Sequence, residues 1–245
     1  MFGFSFDKRT LYIILAIIII RGFIPYLSNT DMLLTLLLTI PGLLVAITFH
    51  EFAHAYAADK LGDDTPRKQG RLSLNPFSHL DPVGCIMLLF AGFGWGKPVE
   101  IDPRNFKRDI SMTKGEAIVS IAGPLMNFFL AIIFAFIYFF IIRFNIDFFM
   151  TKAGGVAETV ISNAIFINIG LGVFNLIPLP PLDGSKVLKN FLPYNARIWF
   201  ENHTMVFYIV FIVLWISGLA GEIITPAIGW VSSGIMNLMA TIFGL

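Results

Sequence analysis

Long apolar segments make up most of this chain and restrict it to a membrane fold. The 245 residues are 56% hydrophobic and only 13% charged, and their mean hydropathy is +0.78, whereas soluble domains are about 25% charged. A helix needs about 20 apolar residues to cross a bilayer. Segments of about that length occur at 10–28, 32–58, 116–142, 156–179, 204–220 and 222–243. We therefore expect an all-α polytopic membrane protein with about six transmembrane helices.

One large insertion, residues 59–115, separates the second and third predicted helices. It begins polar, becomes apolar at 83–90 and continues through the glycine-rich run AGFGWGKPVEID. The apolar part is too short to span, so a re-entrant or interfacial element is expected. Residues 97–101 are typical of a short edge strand, where Pro98 is acceptable because it has no N–H to donate. The prediction is a membrane-associated re-entrant and β-hairpin insertion within one integral-membrane domain, 1–245, without a separate soluble domain.

Basic residues are distributed unevenly around these segments. If the N-terminus is cytoplasmic, 14 of the 17 Lys and Arg residues fall on the inside, and only Arg21, Arg143 and Lys152 fall outside. The positive-inside rule favours this orientation, with both termini cytoplasmic. A net charge of +1 without a separate basic cluster gives no reason to expect a nucleic-acid partner. We expect a multi-pass protein of the cell membrane.

The second apolar segment contains the pentapeptide HEFAH at residues 50–54. On a helix, His50 and His54 project from one face, about 40° apart, and can bind one metal ion. Glu51 follows the first histidine, where its carboxylate can reach a metal-bound water. Ionisable side chains inside a membrane segment are costly and are functional candidates for that reason. The alternative is a helix whose histidines only hydrogen-bond to neighbouring helices.

A catalytic zinc site with two histidines requires a third protein ligand and an open position for water. Cys85 is the single cysteine, so His79, His203 and the acidic residues are the candidates. Asp183 is the strongest, because it follows three prolines that end the fourth helix at its cytoplasmic end. Irregular backbone at that depth must be buried in protein or line a cavity. Asp183 has an alternative role as the cap of the next helix.

The two motifs together resemble those of a known family. HEFAH and the pattern NxxPxPxLDG at 175–184 are similar to motifs of the site-2 protease family of intramembrane zinc metalloproteases. The segments GRLSLNPFSHLDPVG, GWGKPVEIDPRNF and AGPLMN also resemble that family. The resemblance implies His50, His54 and Asp183 as ligands of one Zn²⁺ per chain and Glu51 as the general acid and base. Larger members carry a PDZ or CBS domain, for which this chain has no room, so it resembles the compact membrane-core type.

The activity implied by the resemblance is hydrolysis of peptide bonds within or near transmembrane segments of membrane proteins. It would serve regulated intramembrane proteolysis or the clearance of membrane-protein and signal-peptide remnants. The expected partners are a transmembrane substrate and the lipid bilayer, and the active site is expected in the cytoplasmic half of the membrane. The substrate helix must unwind locally, and the strand containing Lys97, Pro98 and Val99 is a candidate to bind it by strand addition.

Three further residues are candidates for substrate contacts, and two other functions are considered. Asn127, Asn175 and His79 are placed by the sequence where they could hydrogen-bond substrate backbone or the oxyanion. The alternatives are interhelical hydrogen bonds for the asparagines and an ordinary loop role for His79. A non-proteolytic chaperone or receptor of the same fold should have lost a ligand or the base. A metal transporter should show more polar residues in the outer halves of its helices.

Overall fold

A computed structural model describes residues 17, 20–24, 26, 28–91 and 96–245 of the chain. In chain order its α-helices after residue 29 are α1 (Thr30–Leu61), α2 (Thr65–Lys68), α3 (Pro82–Ala91), α4 (Met112–Phe149), α5 (Lys152–Asn175), α6 (Asp183–Phe191), α7 (Tyr194–Asn202), α8 (Thr204–Ile216) and α9 (Leu219–Phe243). Short 3-10 helices lie at Pro76–Ser78 and Pro103–Asn105. The predicted all-α fold is confirmed for these residues.

Four of these helices, α1, α4, α5 and α9, are long and apolar enough to cross a membrane. The pair α7 and α8 adds a fifth span if it is counted as one, although the chain bends by 64° between them. Six spans are not confirmed. The predicted first span, 10–28, lies largely outside the described residues, and α8 alone has 13 residues, which is too few to cross a bilayer.

Local sequence signals set the ends of the long helices. The side chain of Asn29 accepts hydrogen bonds from two backbone amides at the start of α1. Ser111 and Thr151 cap α4 and α5 in the same way, which satisfies N–H groups that have no partner within the helix. At its other end α5 stops at Asn175, just before the prolines at 178, 180 and 181, which cannot continue a helix. The irregular segment expected before Asp183 is therefore present.

Helix α4 lies at the centre of the membrane core and packs against both α1 and α5, which also pack against each other. A cluster of buried apolar side chains joins α4, α5 and α9: Ala131, Ala135, Phe139, Ile165, Ile169, Ile235 and Met239. Small residues let helices approach closely in a membrane, where van der Waals packing is a main driving force for association. The three mutually packed helices α1, α4 and α5 carry most of the polar site described below.

The predicted β-hairpin of the insertion is not confirmed. Among the described residues, pairing is limited to one antiparallel bridge between Leu80 and Gly96, and residues 97–102 have no regular secondary structure. The guanidinium of the buried Arg71 donates to the carbonyls of Ser78, Lys97 and Pro98. These carbonyls are thus bound by an arginine and not by a second strand. The re-entrant part of the prediction covers α3 and residues 92–95. Residues 92–95 lie outside the described residues.

A buried carboxylate joins the end of α1 to the end of the insertion. Asp63 has no exposed surface. It accepts hydrogen bonds of 2.5 to 3.1 Å from the amide and hydroxyl of Thr65, the amide of Asp102 and the side chain of Asn105. Burial by itself would raise the pKa of Asp63, but the hydrogen bonds to its charged form outweigh burial and lower that pKa. Asp63 therefore anchors the insertion next to the helix that carries HEFAH.

We expect Asp63→Asn to destabilise the protein by about 1 to 3 kcal/mol, because an asparagine must turn its NH₂ group toward one of the donors. The matched control is Asp64→Asn, which removes only an exposed pair with Lys68 and should change stability by less than about 0.5 kcal/mol. Thermal unfolding in detergent measures both changes. Equal melting temperatures for the two variants would contradict the anchoring role.

The same residue predicts a pH dependence. Because the pKa of Asp63 is lowered on folding, its contribution is complete above the unfolded value of about 3.9 and is lost as the pH falls through the lower folded value. The destabilisation caused by Asp63→Asn should therefore be largest near pH 7 and shrink below about pH 4.

Candidate metal site

The predicted metal ligands from two distant parts of the chain meet at one point. The Nε2 atoms of His50 and His54, both on α1, are 3.0 Å apart. Oδ2 of Asp183, the first residue of α6, lies 3.2 Å from the first of these atoms and 3.1 Å from the second. The histidines are 5% and 8% exposed, and the Asp183 side chain is 13% exposed. The structure thus brings together three side chains that could hold a metal ion.

The hydrogen bonds of the two rings show which nitrogen carries the hydrogen. His50 Nδ1 is 2.6 Å from Oδ1 of Asn127, and His54 Nδ1 is 2.7 Å from the backbone oxygen of Val119. Carbonyl oxygens only accept, so each Nδ1 donates its hydrogen. In the neutral rings both Nε2 lone pairs then point toward each other and toward Asp183. Two lone pairs and a carboxylate at this spacing repel one another unless a positive charge lies between them, either a metal ion or a proton on one of the rings.

Zinc fits this donor set. Nitrogen and oxygen ligands at 2.0–2.1 Å from a tetrahedral zinc are about 3.3 Å apart, and the three donor atoms here are separated by 3.0 to 3.2 Å. Within the described part of the chain, these three residues form the one group that meets this spacing. Three protein ligands leave a fourth position for water or substrate, which is the arrangement of a catalytic zinc and not of a structural one.

A long cavity leads to this site. Its volume is about 1190 Å³, and its lining includes the three candidate ligands and Glu51. On α1 the lining runs from Asp31 to His54, a distance of about 35 Å at 1.5 Å per residue, which is close to the thickness of a bilayer's hydrocarbon core. Apolar side chains of α5, α8 and α9 form much of the wall, among them Leu171, Phe174, Phe211, Trp215 and Ile228.

Gly184 allows Asp183 to reach the histidines. A Cβ atom on Gly184 would lie 2.3 Å from the carbonyl oxygen of Leu176 and 2.5 Å from that of Ile177, closer than real Cβ atoms come. The start of α6 therefore packs directly against the end of α5. The N-cap of α6 is Leu182 and no side chain caps it, so Asp183 contacts the histidines instead of taking the capping role considered from the sequence.

Gly123 of α4 allows the backbone of that helix to pass beside both histidines. A Cβ atom there would lie 2.5 Å from Nε2 of His54 and 2.7 Å from Cε1 of His50. Only a hydrogen atom fits at this position, because any side chain would occupy the space next to the nitrogens that could bind a metal. The sequence does not indicate this contact, since spacing within the AGPLMN segment carries no information about the helix that it faces.

The two asparagines predicted to contact substrate have different positions. Asn127 is fully buried, and its NH₂ group donates to the carbonyl of Ala46 at 3.1 Å and to Oδ1 of Asn168 at 2.9 Å. Both amide hydrogens are therefore used, and its oxygen accepts from His50. Asn175 lines the cavity, and its side chain donates to the carbonyl of Leu171 at 3.0 Å.

The four residues of the insertion predicted to contact substrate also have different positions. Pro98 and Val99 line the cavity, whereas Lys97 and His79 are not among the described residues that do. The amide of Lys97 donates to the carbonyl of His79 at 2.7 Å. His79 is buried, with its Nε2 2.6 Å from the carbonyl of Ser73. His203, an alternative third ligand, lies between α7 and α8, where its Nδ1 is 2.7 Å from the carbonyl of Trp199.

Two residues near the site were missed by the sequence analysis. Asn168 is a fully buried asparagine in an apolar helix, and a polar side chain inside a membrane span is a signal that could have identified it. Arg71 lies in the polar part of the insertion, where an arginine usually faces solvent, so its sequence context carried no such signal.

Comparison with known proteins relates this chain to a protease family. The profile of Peptidase family M50 matches residues 149–217. "Putative zinc metalloprotease YwhC" of Bacillus subtilis is 39% identical over 201 residues, which cover 82% of this chain and 90% of that protein. "Putative zinc metalloprotease Rip2" of Mycolicibacterium smegmatis is 30% identical over 197 residues, 78% of this chain and 68% of that protein. No solved structure matches the chain significantly.

We expect Gly123→Ala to lower zinc affinity by at least about tenfold, as changes next to metal ligands commonly do, because the added methyl group displaces the histidine rings. Gly155→Ala is the matched control, since the nearest heavy atom to a Cβ at Gly155 is 4.0 Å away. Zinc content of the purified proteins and competition with a chelator measure the difference. Wild-type zinc affinity in Gly123→Ala would contradict this account of the site.

Proposed function

Because the chain belongs to peptidase family M50, the site-2 protease family of zinc metalloendopeptidases, we propose that it cleaves peptide bonds within or near transmembrane segments of membrane proteins. The observation that carries this proposal is the meeting of His50, His54 and Asp183 beside a cavity as long as a membrane span. Such an activity serves regulated intramembrane proteolysis or the clearance of membrane-protein and signal-peptide remnants.

The proposed chemistry divides the work between the metal ligands and a base. His50, His54 and Asp183 hold the zinc, which when bound supplies polarisation of the scissile carbonyl and activation of a water. Glu51 accepts a proton from that water as the oxygen of the water bonds to the carbonyl carbon. Glu51 then delivers the proton to the amine nitrogen as the C–N bond breaks. The second proton of the water passes from the new carboxyl group to the amine, so the products are a carboxylate and an ammonium group, and no covalent bond to the enzyme forms.

The cavity supports a transmembrane segment as substrate. A peptide bond inside an intact helix is shielded by side chains and its carbonyl is hydrogen-bonded, so the substrate must unwind where it is cut. An apolar wall suits the part of the segment that stays helical. Glu51 and the proposed ligands line the same cavity, so an unwound residue has a polar place to occupy.

The residues that follow Gly96 are the proposed binding surface for the unwound part. A Cβ atom on Gly96 would lie 3.2 Å from Oε1 of Glu51, so the chain passes beside the proposed base before Pro98 and Val99 line the cavity. An extended substrate can add to such a segment through backbone hydrogen bonds. Arg71 holds this segment through the carbonyls of Lys97 and Pro98 at 3.4 and 3.3 Å. Asn175 is the further polar candidate for contact with the substrate.

The proposed location is the cell membrane, with both termini in the cytoplasm and the site in the cytoplasmic half of the bilayer. His50 lies eleven positions before Leu61, the end of α1, or about 16 Å along the helix axis. The polar segment that follows α1 carries exposed Arg67 and Lys68, as expected of a cytoplasmic segment.

The hydroxyls in the outer part of the cavity argue against a metal transporter. Thr35 Oγ1 donates to the carbonyl of Asp31 at 2.9 Å, and Thr39 Oγ1 donates to that of Thr35 at 2.8 Å. Thr39 also accepts from Asn163 at 3.0 Å. Among the described residues, the polar lining that α1 offers before His50 is limited to Asp31, Thr35 and Thr39, which is less than a continuous path of ligands for a moving ion requires.

We expect Glu51→Gln to retain zinc and to lower cleavage of a model transmembrane substrate by about 10²- to 10⁴-fold, the usual contribution of a general acid and base. Glu201→Gln is the control, since Glu201 is an exposed residue of α7 paired with Lys189 at 3.4 Å. Both proteins are reconstituted in vesicles with the substrate, and cleavage and zinc content are measured together. Wild-type cleavage by Glu51→Gln would refute the proposed mechanism.

We expect Arg71→Met to raise KM for the same substrate several-fold while zinc content stays unchanged. The reason is that the carbonyls of Lys97 and Pro98 lose their hydrogen bonds to the guanidinium, so the segment that continues to Val99 is no longer held, which weakens binding of the substrate and not of the metal. Arg67→Met is the matched control, because Arg67 is 65% exposed and pairs with Asp59 on the surface. An unchanged KM in a folded Arg71→Met protein would remove this segment from the substrate site.

A further inference from the structure

We infer that Asn168 of α5 is a positioning residue for His50 and acts on it through Asn127. The inference rests on the proposed zinc site, in which His50 is a ligand. Asn168 Oδ1 accepts from Nδ2 of Asn127 at 2.9 Å, and Asn127 Oδ1 is 2.6 Å from Nδ1 of His50. Three membrane helices, α5, α4 and α1, are therefore connected by one line of hydrogen bonds that ends at the metal site.

The direction of every hydrogen bond in this line is determined by backbone carbonyls. Nδ2 of Asn168 donates to the carbonyl of Ala164 at 2.8 Å, so its Oδ1 must face Asn127. Asn127 donates one amide hydrogen to that oxygen and the other to the carbonyl of Ala46 at 3.1 Å. Its own Oδ1 is then the atom left to face His50. A histidine facing an acceptor carries its hydrogen on Nδ1 and keeps the Nε2 lone pair for the metal.

Rotation of the Asn127 amide by 180° would reverse the preferred tautomer of His50. The NH₂ group would then face Nδ1 of His50 and favour the tautomer with hydrogen on Nε2, which cannot bind zinc through that atom. With Asn168 present, the rotated amide would place its oxygen against two acceptors, Oδ1 of Asn168 and the carbonyl of Ala46. Without Oδ1 of Asn168, only the repulsion with the carbonyl of Ala46 remains. Asn127 and Asn168 have no exposed surface, and a leucine at 168 is at least as large as the asparagine, so it leaves little room for a water to replace the missing partner.

A purely structural role makes a different prediction, and the chain contains a matched control. Asn163 lies five residues before Asn168 on the same helix and donates to Oγ1 of Thr39 on α1 at 3.0 Å. Like Asn168, which bonds to α4, it is an interhelical amide of α5, but the hydrogen bond that Asn163 donates goes to α1 and does not lead to His50. If asparagines of α5 only hold helices together, replacing either one should affect stability alone.

The experiment measures zinc affinity by chelator competition and thermal unfolding of the metal-free protein. We expect Asn168→Leu to lower zinc affinity about tenfold or more, the usual cost of losing a partner of a metal-bound histidine. Asn163→Leu should keep affinity within twofold of wild type, at a comparable loss of melting temperature. Because Asn168 acts through Asn127, the double variant Asn127→Leu/Asn168→Leu should bind zinc no more weakly than Asn127→Leu alone.

Three outcomes overturn specific parts of the inference. Zinc affinity of Asn168→Leu within twofold of wild type would show a structural role, and an additive loss in the double variant would show that Asn168 does not act through Asn127. Wild-type zinc affinity in His50→Ala would instead refute the proposed site.

If Asn168→Leu does not fold, Asn168→Ser tests the same point. The serine hydroxyl can still bond the carbonyl of Ala164 but is too short to reach Asn127, so the same loss of affinity is expected.

Discussion

Electrostatic repulsion among three closely spaced donor atoms is the central constraint of this structure. Two imidazole nitrogens and one carboxylate oxygen lie within 3.2 Å of one another. A positive charge between them, either a metal ion or a proton on one ring, makes that arrangement favourable. The ring hydrogens donated to Asn127 and Val119 direct both Nε2 atoms toward that position. The hydrogen bonds behind the histidines therefore prepare the candidate site for a cation.

Close helix packing and hydrogen bonding of buried polar groups occur together around the candidate metal site. Helix α4 can pass beside the histidines only because residue 123 is glycine, and α6 can begin against the end of α5 only because residue 184 is glycine. Each nitrogen and oxygen atom of the Asn127 and Asn168 amides has at least one partner, which matters in a membrane because an unpaired polar group there costs several kcal/mol. Packing and hydrogen bonding thus restrict the positions of the same few atoms. Small changes at Gly123 or Asn168 are therefore expected to alter metal binding as well as stability.

The insertion contributes part of the cavity wall beside this centre. Asp63 joins the two ends of the insertion next to α1, and Arg71 fixes the segment that enters the cavity. Both are buried charged groups; the partners of Arg71 are backbone carbonyls, and two of the four partners of Asp63 are backbone amides. Such contacts define the path of an irregular segment that has no sheet to hold it. The long apolar cavity and this held segment support the proposed function, which requires a site for a helix and a site for an unwound strand.

From the sequence alone follow the membrane class, the common helix face of His50 and His54, and Asp183 as the strongest candidate for a third ligand. These features depend on local rules: apolar length, the 3.6-residue period of a helix, and the inability of proline to continue one. The hydrogen bonds of Asn127 with His50 and with Asn168, and the contacts by which Arg71 holds the insertion without a hairpin, depend on the packing of distant segments. The long-range contacts among them join residues 26 to 77 positions apart along the chain. The helical period states which residues share a face, but only packing decides which faces meet.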